Sequence, residues 1–475
     1  MPARPAWSAD ALAGVTTAAV VIPQCMAYAT IAGLPVQVGL YTAIVPLLVY
    51  AALGTSRALS VSTTSTIAAL TGAAVATVPH EQATAAATTL AMLVGVLLLA
   101  AAAFRLGWVA DFISHPVLAG FKAGTGLLIA SGQLGKVLGI EQSGDSFFEK
   151  TRSALSHLGD ISWKTAAFSA ATVAGLFLLK QTKVPGALVA VAAGIALGGV
   201  FDLALTGDVP SGLPHPIAPE LSLIGPLLPA AAGVALMSFV ESIAAGRAIA
   251  HKGEDEPDAN RELLALGGAN VLGGIFRALP SGGGLSQTAV NDTAATKLAG
   301  AVTGVLGILT VLFLTGLFAD LPQATLGSLV LVSAIGLVAL EPLRQLAQIH
   351  RTGILLGLLT LVSVLFLGVL EGVLVGVLAS MMSLIHALNH PRLERLEDGA
   401  VRVTGPLYFA NVQRVRRQAA ELAGEDDLVL DLSRVHGIDV TAALVLAETP
   451  LRNLNEQPRE ILRRLGRDEP AHAAR

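Results

Sequence analysis

Long segments without charged side chains recur along the chain almost to residue 390. Residues 11–56 contain no charged side chain at all, which is long enough to cross a bilayer about twice. The further uncharged or nearly uncharged segments are 58–79, 82–104, 112–135, 165–179, 184–201, 221–240, 263–276, 298–319, 321–340, 352–370 and 372–391. Divided at proline and glycine, they predict roughly twelve to fourteen membrane-spanning helices.

The pattern changes abruptly after Pro391, where charged residues return and the spacing becomes that of a small α/β domain. The predicted elements are a strand pair at 401–409 broken at Gly405-Pro406, an amphipathic helix at 411–423, a buried strand at 428–432 and a helix at 438–448. No strand is predicted after Glu448. We therefore expect a transmembrane domain over residues 1–391 and a cytoplasmic domain over 392–475 that is incomplete at its C-terminal end.

Polar and helix-breaking residues stand inside the first apolar stretch, residues 21–70. Pro23 and Gln24 interrupt it, and a run of hydroxyl side chains follows at Ser60, Ser62, Thr63, Thr64, Ser65 and Thr66. Irregular, polar backbone at membrane depth is tolerated only where it lines a cavity or is buried in protein. The stretch is therefore a candidate substrate site.

A weak internal repeat links this stretch to a second one. Arg-Ala-Leu-Ser at 57–60 opens the hydroxyl run, and Arg-Ala-Leu-Pro at 277–280 opens the sequence SGGGLSQTAV. In each half the preceding apolar segment holds a lone polar group, Gln24 in the first and Glu241 in the second. Paired interrupted segments at matching positions of two halves are typical of the binding site of a secondary transporter.

The two stretches predict two half-helices whose N-terminal ends point at one place. Glycines 282–284 permit an extended or irregular backbone, and Ser286 follows at an expected helix start, as residues 62–65 do in the first half. Unpaired N–H groups and positive dipole ends would then attract an anion. The alternative is a pair of ordinary helix kinks in a channel or scaffold.

Glu241 lies within a predicted span rather than at its edge, because apolar residues flank it on both sides. A charged group inside a membrane costs roughly 2.5 to 3.5 kcal/mol on insertion scales, so it is a functional-site hypothesis by default. We expect Glu241 to carry a proton; the alternative is a carboxylate neutralised by Arg247 on the same helix. Asn291 and Asp292 lie just past the second stretch, and we expect Asp292 to be solvated at the cytoplasmic end.

Composition supports an integral membrane protein. The 475 residues are 53% hydrophobic and 13% charged, about half the charged fraction of soluble proteins, which is roughly 25%. A net charge of −4 gives no basic surface for nucleic acid. The single cysteine, Cys25, excludes an intrachain disulfide and a multi-cysteine metal site. No nucleophile–base pair, metal cluster or phosphate loop is found in the sequence, so we do not expect an enzyme.

Loop charges predict the orientation. The loops that we place in the cytoplasm carry Arg57, Arg105, Lys180, Lys183, Lys252, Arg261, Arg344 and Arg351, and the longer loops opposite carry Glu141, Asp145, Glu149, Asp202, Asp208 and Glu220. This asymmetry places both termini in the cytoplasm. No cleavable signal peptide is apparent, so we expect a multi-pass protein whose first span is retained.

Three motifs resemble one known family. PQCMAYATIAGLPVQVGLYTAIVPLLVYAALGTSRALSV is similar to the signature of the SulP sulfate-permease family, the anion transporters that include prestin and pendrin. FVESIAAGRAIA and LPSGGGLSQTAVND resemble the second half of the same family, and GPLYFAN with LVLDLSRVHGIDVTAA resembles its C-terminal STAS domain. The resemblance covers nearly the whole chain.

The resemblance implies about fourteen spans in two inverted repeats, a core and a gate domain, short strands before two half-helices, and a homodimer. It places the anion between the first, third, eighth and tenth spans. The resemblance assigns substrate binding to Gln24, Tyr28, Thr64, Leu285 and Ser286, and we add their sequence neighbours Ser65 and Gln287. Glu241 resembles an acidic position that serves coupling ions, and we group Asn291 with it.

One departure bears on mechanism. Many animal members carry Arg after the serine of the tenth-span motif, whereas this chain has Gln287. Without that fixed charge, a protonatable Glu241 favours proton-coupled symport of a dicarboxylate such as fumarate across a bacterial inner membrane, by elevator-like movement of core against gate. Bicarbonate or sulfate transport coupled to sodium or protons, and anion exchange, remain alternatives. No cofactor is expected beyond protons or sodium as coupling ions.

Competing classes fit the sequence less well. A channel needs a continuous polar lining, whereas the polar residues cluster at one depth. A voltage-linked exchanger is disfavoured by Gln287. A related nucleobase-transporter fold lacks the STAS domain that residues 392–475 resemble.

Overall fold

A computed structural model describes residues 6–108, 114–144, 146–179, 182, 184–249, 256–338, 344, 348, 351–424 and 428–465. The chain divides into two compact units, Met1–Val377 and Leu378–Arg475. Among the charged loop residues that predict the orientation, Lys180, Lys183, Lys252 and Asp145 lie outside the described residues.

The first unit is helical apart from two short strands. The helices are α1 Ala6–Ile31, α2 Val36–Thr42, α3 Val45–Leu53, α4 Ser65–Val75, α5 Ala83–Ala103, α6 His115–Leu138, α7 Phe147–Ser156, α8 Trp163–Leu179, α9 Gly186–Gly198, α10 Ile224–Ile249, α11 Ala259–Ile275, α12 Leu285–Val290, α13 Leu298–Leu309, α14 Thr315–Ala319, α15 Gln323–Leu337, α16 Arg351–Leu367 and α17 Val369–Leu388, which runs on into the second unit. The strands are β1 Val61–Ser62 and β2 Gly282–Gly283, and a π turn at Thr310–Leu314 joins α13 to α14.

Many of these helices are apolar enough for a membrane. Among the described residues, seven helical segments of at least 18 residues have the length and composition of a membrane span, and five shorter apolar helices accompany them. Together they reach the lower end of the predicted range. Helix α1 runs unbroken through Pro23, so the expectation that Pro23 and Gln24 interrupt this segment is wrong: one proline removes a single backbone hydrogen bond and neighbouring helices support the rest.

The helices of the first unit form two groups. The first helix group contains α1–α5 and α10–α14, in which α5 packs on α10 and α11, and α1 packs on α13. The second helix group contains α6, α8, α9, α15 and α16, with α6 and α8 packed on α15. Helix α1 touches α9 and α15 across the boundary. The two groups correspond to the predicted core and gate domains.

Small residues set the closest helix contacts. A Cβ atom at Gly95 of α5 would lie 2.5 Å from the backbone nitrogen of Val271 on α11, and one at Gly267 of α11 would lie 2.7 Å from Leu99. Without side chains at these positions the two backbones approach directly, which maximises van der Waals contact where water supplies no driving force.

The second unit, described from Leu378, contains a four-stranded sheet. Its elements after α17 are β3 Arg392–Arg395, β4 Val401–Thr404, α18 Val412–Ala423, β5 Leu430–Arg434, α19 Val440–Leu446, β6 Leu451–Arg452 and α20 Glu456–Arg464. The strand order is β3-β4-β5-β6; β3 is antiparallel to β4, and the other pairs are parallel. Apolar residues of β4, β5, α18 and α19 form the core, so the predicted small α/β domain is confirmed.

Two details of that prediction are wrong. The strand pair is not broken at Gly405-Pro406, because β4 ends at Thr404 and pairs with β3, while Leu407 forms only an isolated bridge to Ile438. A strand does follow Glu448: β6 pairs in parallel with β5. Two residues are too few to show an alternating pattern, and their conformation comes from the neighbouring strand.

Asp431 of β5 stands between two arginines, since its register partners are Arg402 of β4 and Arg452 of β6. Its carboxylate accepts hydrogen bonds from the Ser433 nitrogen at 3.0 Å, from Asn453 Nδ2 at 2.8 Å and from Arg452 Nε at 3.3 Å. Burial acts to raise the pKa of this carboxyl, but the hydrogen bonds and the Arg402 charge bring that pKa below its ordinary value.

We predict that Asp431→Asn lowers the stability of the second unit by about 1–3 kcal/mol at neutral pH, because several donors lose a charged acceptor. Since the folded-state pKa is lowered, the wild-type stabilisation is fully present above the unfolded-state pKa and is lost as pH falls through the folded-state pKa. The difference between wild type and variant should therefore shrink below about pH 4.

Hydrogen exchange at the β5 amides of the full chain in detergent measures this difference. Asp398→Asn is the matched control, because Asp398 is an exposed partner of Arg452 and exposed ion pairs contribute little. Equal loss of protection in the two variants would contradict a special role for Asp431.

Candidate functional site

The two short strands cross at the centre of the candidate site. Strand β1 pairs with β2 in antiparallel register, Val61 with Gly283 and Ser62 with Gly282. Helix α4 follows β1 and helix α12 follows β2. Because the strands run in opposite directions, the helices extend away in opposite directions while their N-terminal ends remain close together. The predicted arrangement of short strands before two half-helices is confirmed.

Glycine is required in β2 because other groups approach it closely. A Cβ atom at Gly282 would lie 2.8 Å from Ile67 Cδ1, and one at Gly283 would lie 2.5 Å from Leu59 Cδ1. Neither glycine has a positive φ. The glycines therefore serve close packing in an extended strand rather than an unusual backbone conformation.

Glu241 is joined to the start of α4 through Thr64. Thr64 is the N-cap residue of α4, and its hydroxyl oxygen accepts a hydrogen bond from the Ile67 nitrogen at 3.2 Å. The same hydroxyl donates to Glu241 Oε2 at 3.0 Å. Glu241 is 8% exposed and lies in the middle of α10. Arg247, six residues further along α10, forms an ion pair with Glu256 at 3.6 Å.

Two serines on the same face of α10 attach this helix to β2. Ser238 donates to the Ser281 carbonyl at 2.6 Å, and Ser242 accepts a hydrogen bond from the Gly283 nitrogen at 2.7 Å. Asn270 of α11 binds both the nitrogen and the carbonyl of Ser281, at 2.8 and 2.9 Å. Sequence reasoning missed these residues; the available signal is Ser238, which lies three residues before Glu241 and four before Ser242 on α10.

Gln287 braces the two half-helix segments. It is 2% exposed; its carbonyl oxygen accepts a hydrogen bond from Ser62 at 2.7 Å, and its Nε2 donates to the Thr63 carbonyl at 3.2 Å. Leu285 and Ser286 are exposed in the first turn of α12. Within the predicted binding set, Leu285 and Ser286 are accessible to a ligand, whereas both ends of the Gln287 amide are engaged.

Helix α1 brings two further predicted residues to the same place. Tyr28 is 5% exposed, and its hydroxyl lies against the hydroxyls of Ser65 and Ser333. Gln24 lies one turn earlier, and its Oε1 atom is buried without a hydrogen-bond partner among the described residues. A buried amide oxygen without a partner is costly in a resting protein. Tyr28 is therefore positioned beside the N-terminal end of α4, and Gln24 lies one turn away on the same helix.

The side chain of Asn291 forms hydrogen bonds with residues other than Glu241. It accepts a hydrogen bond from Thr17 at 3.2 Å and donates to the Ala58 carbonyl at 2.9 Å, so it connects α1 to the segment before β1. Asp292 pairs with Arg57 at 3.4 Å. The side chain of Asp292 is 37% exposed, so it is partly solvated as expected, and its pair with Arg57 also links the ends of the two repeats.

The assembled site offers hydroxyl groups, amides and helix N-termini together with one carboxyl group. Of the predicted residues, Leu285 and Ser286 are exposed and Gln24 has a buried Oε1 atom without a partner among the described residues, while Tyr28, Ser65 and Glu241 are buried. None of these residues is cationic. Groups of three or more His, Cys, Asp or Glu side chains suited to a metal ion are absent from the described residues. Hydroxyl groups, amides and helix N-termini are neutral donors of the kind that can bind a small anion.

Comparison with known proteins identifies matching families and relatives. The sulfate permease family matches residues 8–382, and the STAS domain matches residues 390–451. A probable sulfate transporter of Mycobacterium tuberculosis is 35% identical over 96% of this chain and 87% of its own length. The sodium-independent sulfate anion transporter of Bos taurus is 29% identical over 92% of this chain and 80% of its own length.

Solved structures share the fold. Murine solute carrier 26 family member A9, an anion transporter in the inward-facing state, matches with a TM-score of 0.88 at 23% identity, covering 98% of this chain and 88% of that chain. The transmembrane domain of the cyanobacterium bicarbonate transporter BicA matches with a TM-score of 0.69 at 20% identity, covering 79% of this chain and 97% of that domain.

We predict that Thr64→Val loosens the first turn of α4. The variant loses the N-cap hydroxyl, which contributes about 1 kcal/mol, so exchange of the Ile67 amide should be about fivefold faster. Thr64→Ser should keep the protection. Thr71→Val is the matched control, because Thr71 is on the same helix and donates to the Ile67 carbonyl. Hydrogen exchange in nanodiscs measures the effect; equal exchange in the Val variants would contradict the capping role.

Proposed function

The chain belongs to the sulfate permease family of membrane anion transporters and carries a STAS domain, and from this we propose that it is a secondary transporter that moves a small divalent oxyanion together with protons. It is a multi-pass membrane protein and not an enzyme. We propose that the anion binds between α1, α4, α10 and α12, at the converging ends of the two half-helices.

The observation that carries the proposal is the hydrogen bond from Thr64 to Glu241. An ionised Glu241 places a negative charge beside the positive end of α4 and repels an anion there. With an effective dielectric constant of about 20, two unit charges 4–8 Å apart repel by about 2–4 kcal/mol. Protonation of Glu241 removes this repulsion, so the proton and the anion each favour binding of the other.

Gln24, Tyr28, Thr64, Ser65, Leu285 and Ser286 are the proposed substrate-binding residues. Gln287 is proposed to support the site by fixing β1 against α12, as its two hydrogen bonds imply. Asn291 would act at a distance, by holding the segment before β1 against α1. Protons are the proposed coupling ions, and sodium at the same carboxyl group is the alternative.

Sulfate is the first candidate substrate, because the relatives that match most of this chain are named sulfate transporters. The dicarboxylate fumarate, which the sequence alone favours, carries the same charge and is the competing candidate. Bicarbonate is a further alternative, because the solved BicA structure is described as a bicarbonate transporter. We also propose an inner-membrane location, cytoplasmic termini and a homodimer.

The two helix groups of the first unit support alternating access by relative movement. The proposed site residues on α1, α4, α10 and α12 all belong to the first helix group, while α15 of the second group closes on Tyr28 through Ser333. Movement of the first group against the second would carry the site across the membrane with its internal hydrogen bonds intact.

We predict that proteoliposomes containing the protein accumulate labelled sulfate when an inward proton gradient is imposed, and that uptake is competed by oxyanions of similar size. Fumarate and bicarbonate are tested in parallel. Accumulation of fumarate alone would assign the dicarboxylate. Uptake that ignores the gradient but requires an anion inside would make the protein an exchanger and overturn the proposed coupling.

We predict that Glu241→Gln abolishes stimulation by the proton gradient, because a neutral amide cannot take up a proton, while anion exchange between equal concentrations continues. Glu220→Gln is the matched control, since Glu220 is an exposed residue just before α10. Accumulation is compared with and without the gradient in both variants. Gradient-stimulated uptake by Glu241→Gln would remove Glu241 from the proposed mechanism.

A further inference from the structure

A cavity of about 290 Å³ lies at the end of α1 that is distant from the amino terminus. Its walls come from the turn between α1 and α2, the last turn of α6, the segment after α9 and the first turn of α15. Helix α1 and the α1–α2 turn belong to the first helix group, and α6 and α15 belong to the second. The cavity therefore lies at the boundary across which the two groups would move.

Lys136 is the cationic residue among those that line the cavity. Its side chain is half-buried and makes no hydrogen bond or ion pair within the described parts of the chain. Its stem packs against α15, since a Cβ atom at Gly327 would lie 3.0 Å from Lys136 Cβ. Asp208 also lines the cavity but is exposed, so solvent screens its charge more than that of Lys136.

Stabilisation of the α6 dipole explains why a lysine is in this turn, but it does not explain why the side chain of Lys136 is half-buried. A lysine in the last turn of a helix stabilises the helix dipole by about 0.3–1 kcal/mol, and Lys136 is in the last turn of α6. An exposed side chain would do this equally well. A half-buried ammonium group without an acceptor is instead costly, and a cavity beside it provides room for one.

The start of α15 adds to the positive potential of the cavity. This 15-residue helix begins at Gln323, which lines the cavity, and its N-cap residue Pro322 provides no side-chain cap. The positive end of the α15 dipole and the Lys136 charge are thus both next to the same space. Both favour a small anion.

The cavity is also close to the proposed substrate site. Thr30 lines the cavity and follows Gln24 by six positions on α1, which corresponds to about 9 Å along the helix. Along the axis of α1, an anion in the cavity beside Thr30 would therefore be about two helical turns from Gln24 and about half a turn from Tyr28. Both positions lie along the same helix.

We propose that this cavity is an entry site, in which Lys136 captures the transported oxyanion before it passes to the site at α4. This inference rests on the proposed function and adds a second anion position to it. Lys136 is a binding residue for the incoming anion and takes no part in proton coupling. Its charge raises the occupancy of the entry site, so it lowers KM for uptake from that side and leaves the maximal rate unchanged.

Kinetics of sulfate uptake test the entry site. Lys136→Gln should raise KM about tenfold with a maximal rate within about twofold of wild type, and Lys136→Arg should behave like wild type. Lys122→Gln is the matched control, because Lys122 is on the same helix but about 21 Å away along its axis. Equal KM values for Lys136→Gln and Lys122→Gln would overturn the inference.

A single introduced cysteine distinguishes the effect of charge at position 136 from the effect of side-chain size. Cys25 is the only cysteine, so Lys136→Cys in a Cys25→Ala background carries one thiol. Modification with a methanethiosulfonate bearing ethylammonium should restore a low KM, whereas the ethylsulfonate reagent should raise KM further, and sulfate should slow both modifications. Identical effects of the two reagents would show a steric role and overturn the inference.

The two proposals fail in different ways. Wild-type protein that accumulates none of the three anions in proteoliposomes would refute the proposed function itself. Wild-type protein that accumulates sulfate, together with a Lys136→Gln variant of unchanged KM, would refute the entry site alone.

Discussion

The need to satisfy every backbone polar group inside the membrane governs this structure. Two chain segments leave helical geometry near the middle of the first unit, and each exposes N–H and C=O groups that lipid cannot satisfy. Part of the need is met by pairing β1 with β2. The rest is met by side chains, such as Ser242 at the Gly283 nitrogen and Asn270 at Ser281. The breaks are therefore stable only as a pair, held by α10 and α11.

The pairing of β1 with β2 also determines the electrostatic potential at the candidate site. Because β1 and β2 are antiparallel, the positive ends of α4 and α12 converge, and the predicted site residues beside them include no basic side chain. The carboxyl group of Glu241 is connected to the end of α4 through Thr64. The Thr64 hydroxyl accepts a hydrogen bond from the Ile67 nitrogen and donates one to Glu241. A change in the charge of Glu241 is thus felt directly at the helix end. This direct contact makes coupling possible without a long chain of intermediate residues.

The sequence was sufficient for the large features because each has a long or repeated signal. Apolar segments of span length predicted the helices, and the echo between residues 57–60 and 277–280 predicted the paired half-helices. Short or purely tertiary features gave no such signal. Strand β6 has two residues and exists through β5, and Ser238 resembles any helical serine until β2 is placed against it. The sequence also could not show that Gln287 is engaged at both ends, because its partners lie in the other repeat.

The neutral character of Gln287 fits a proton-carrying Glu241 for a physical reason. An arginine beside the start of α12 would bind an anion more strongly, but its charge would also favour the ionised form of a nearby carboxyl group. A carboxyl group held in one charge state cannot alternate between carrying and releasing a proton. A glutamine that braces β1 against α12 keeps the helix ends aligned without adding charge. In the mechanism that we propose, the site binds its anion through dipoles and hydroxyl groups, and the charge that changes during transport is that of Glu241.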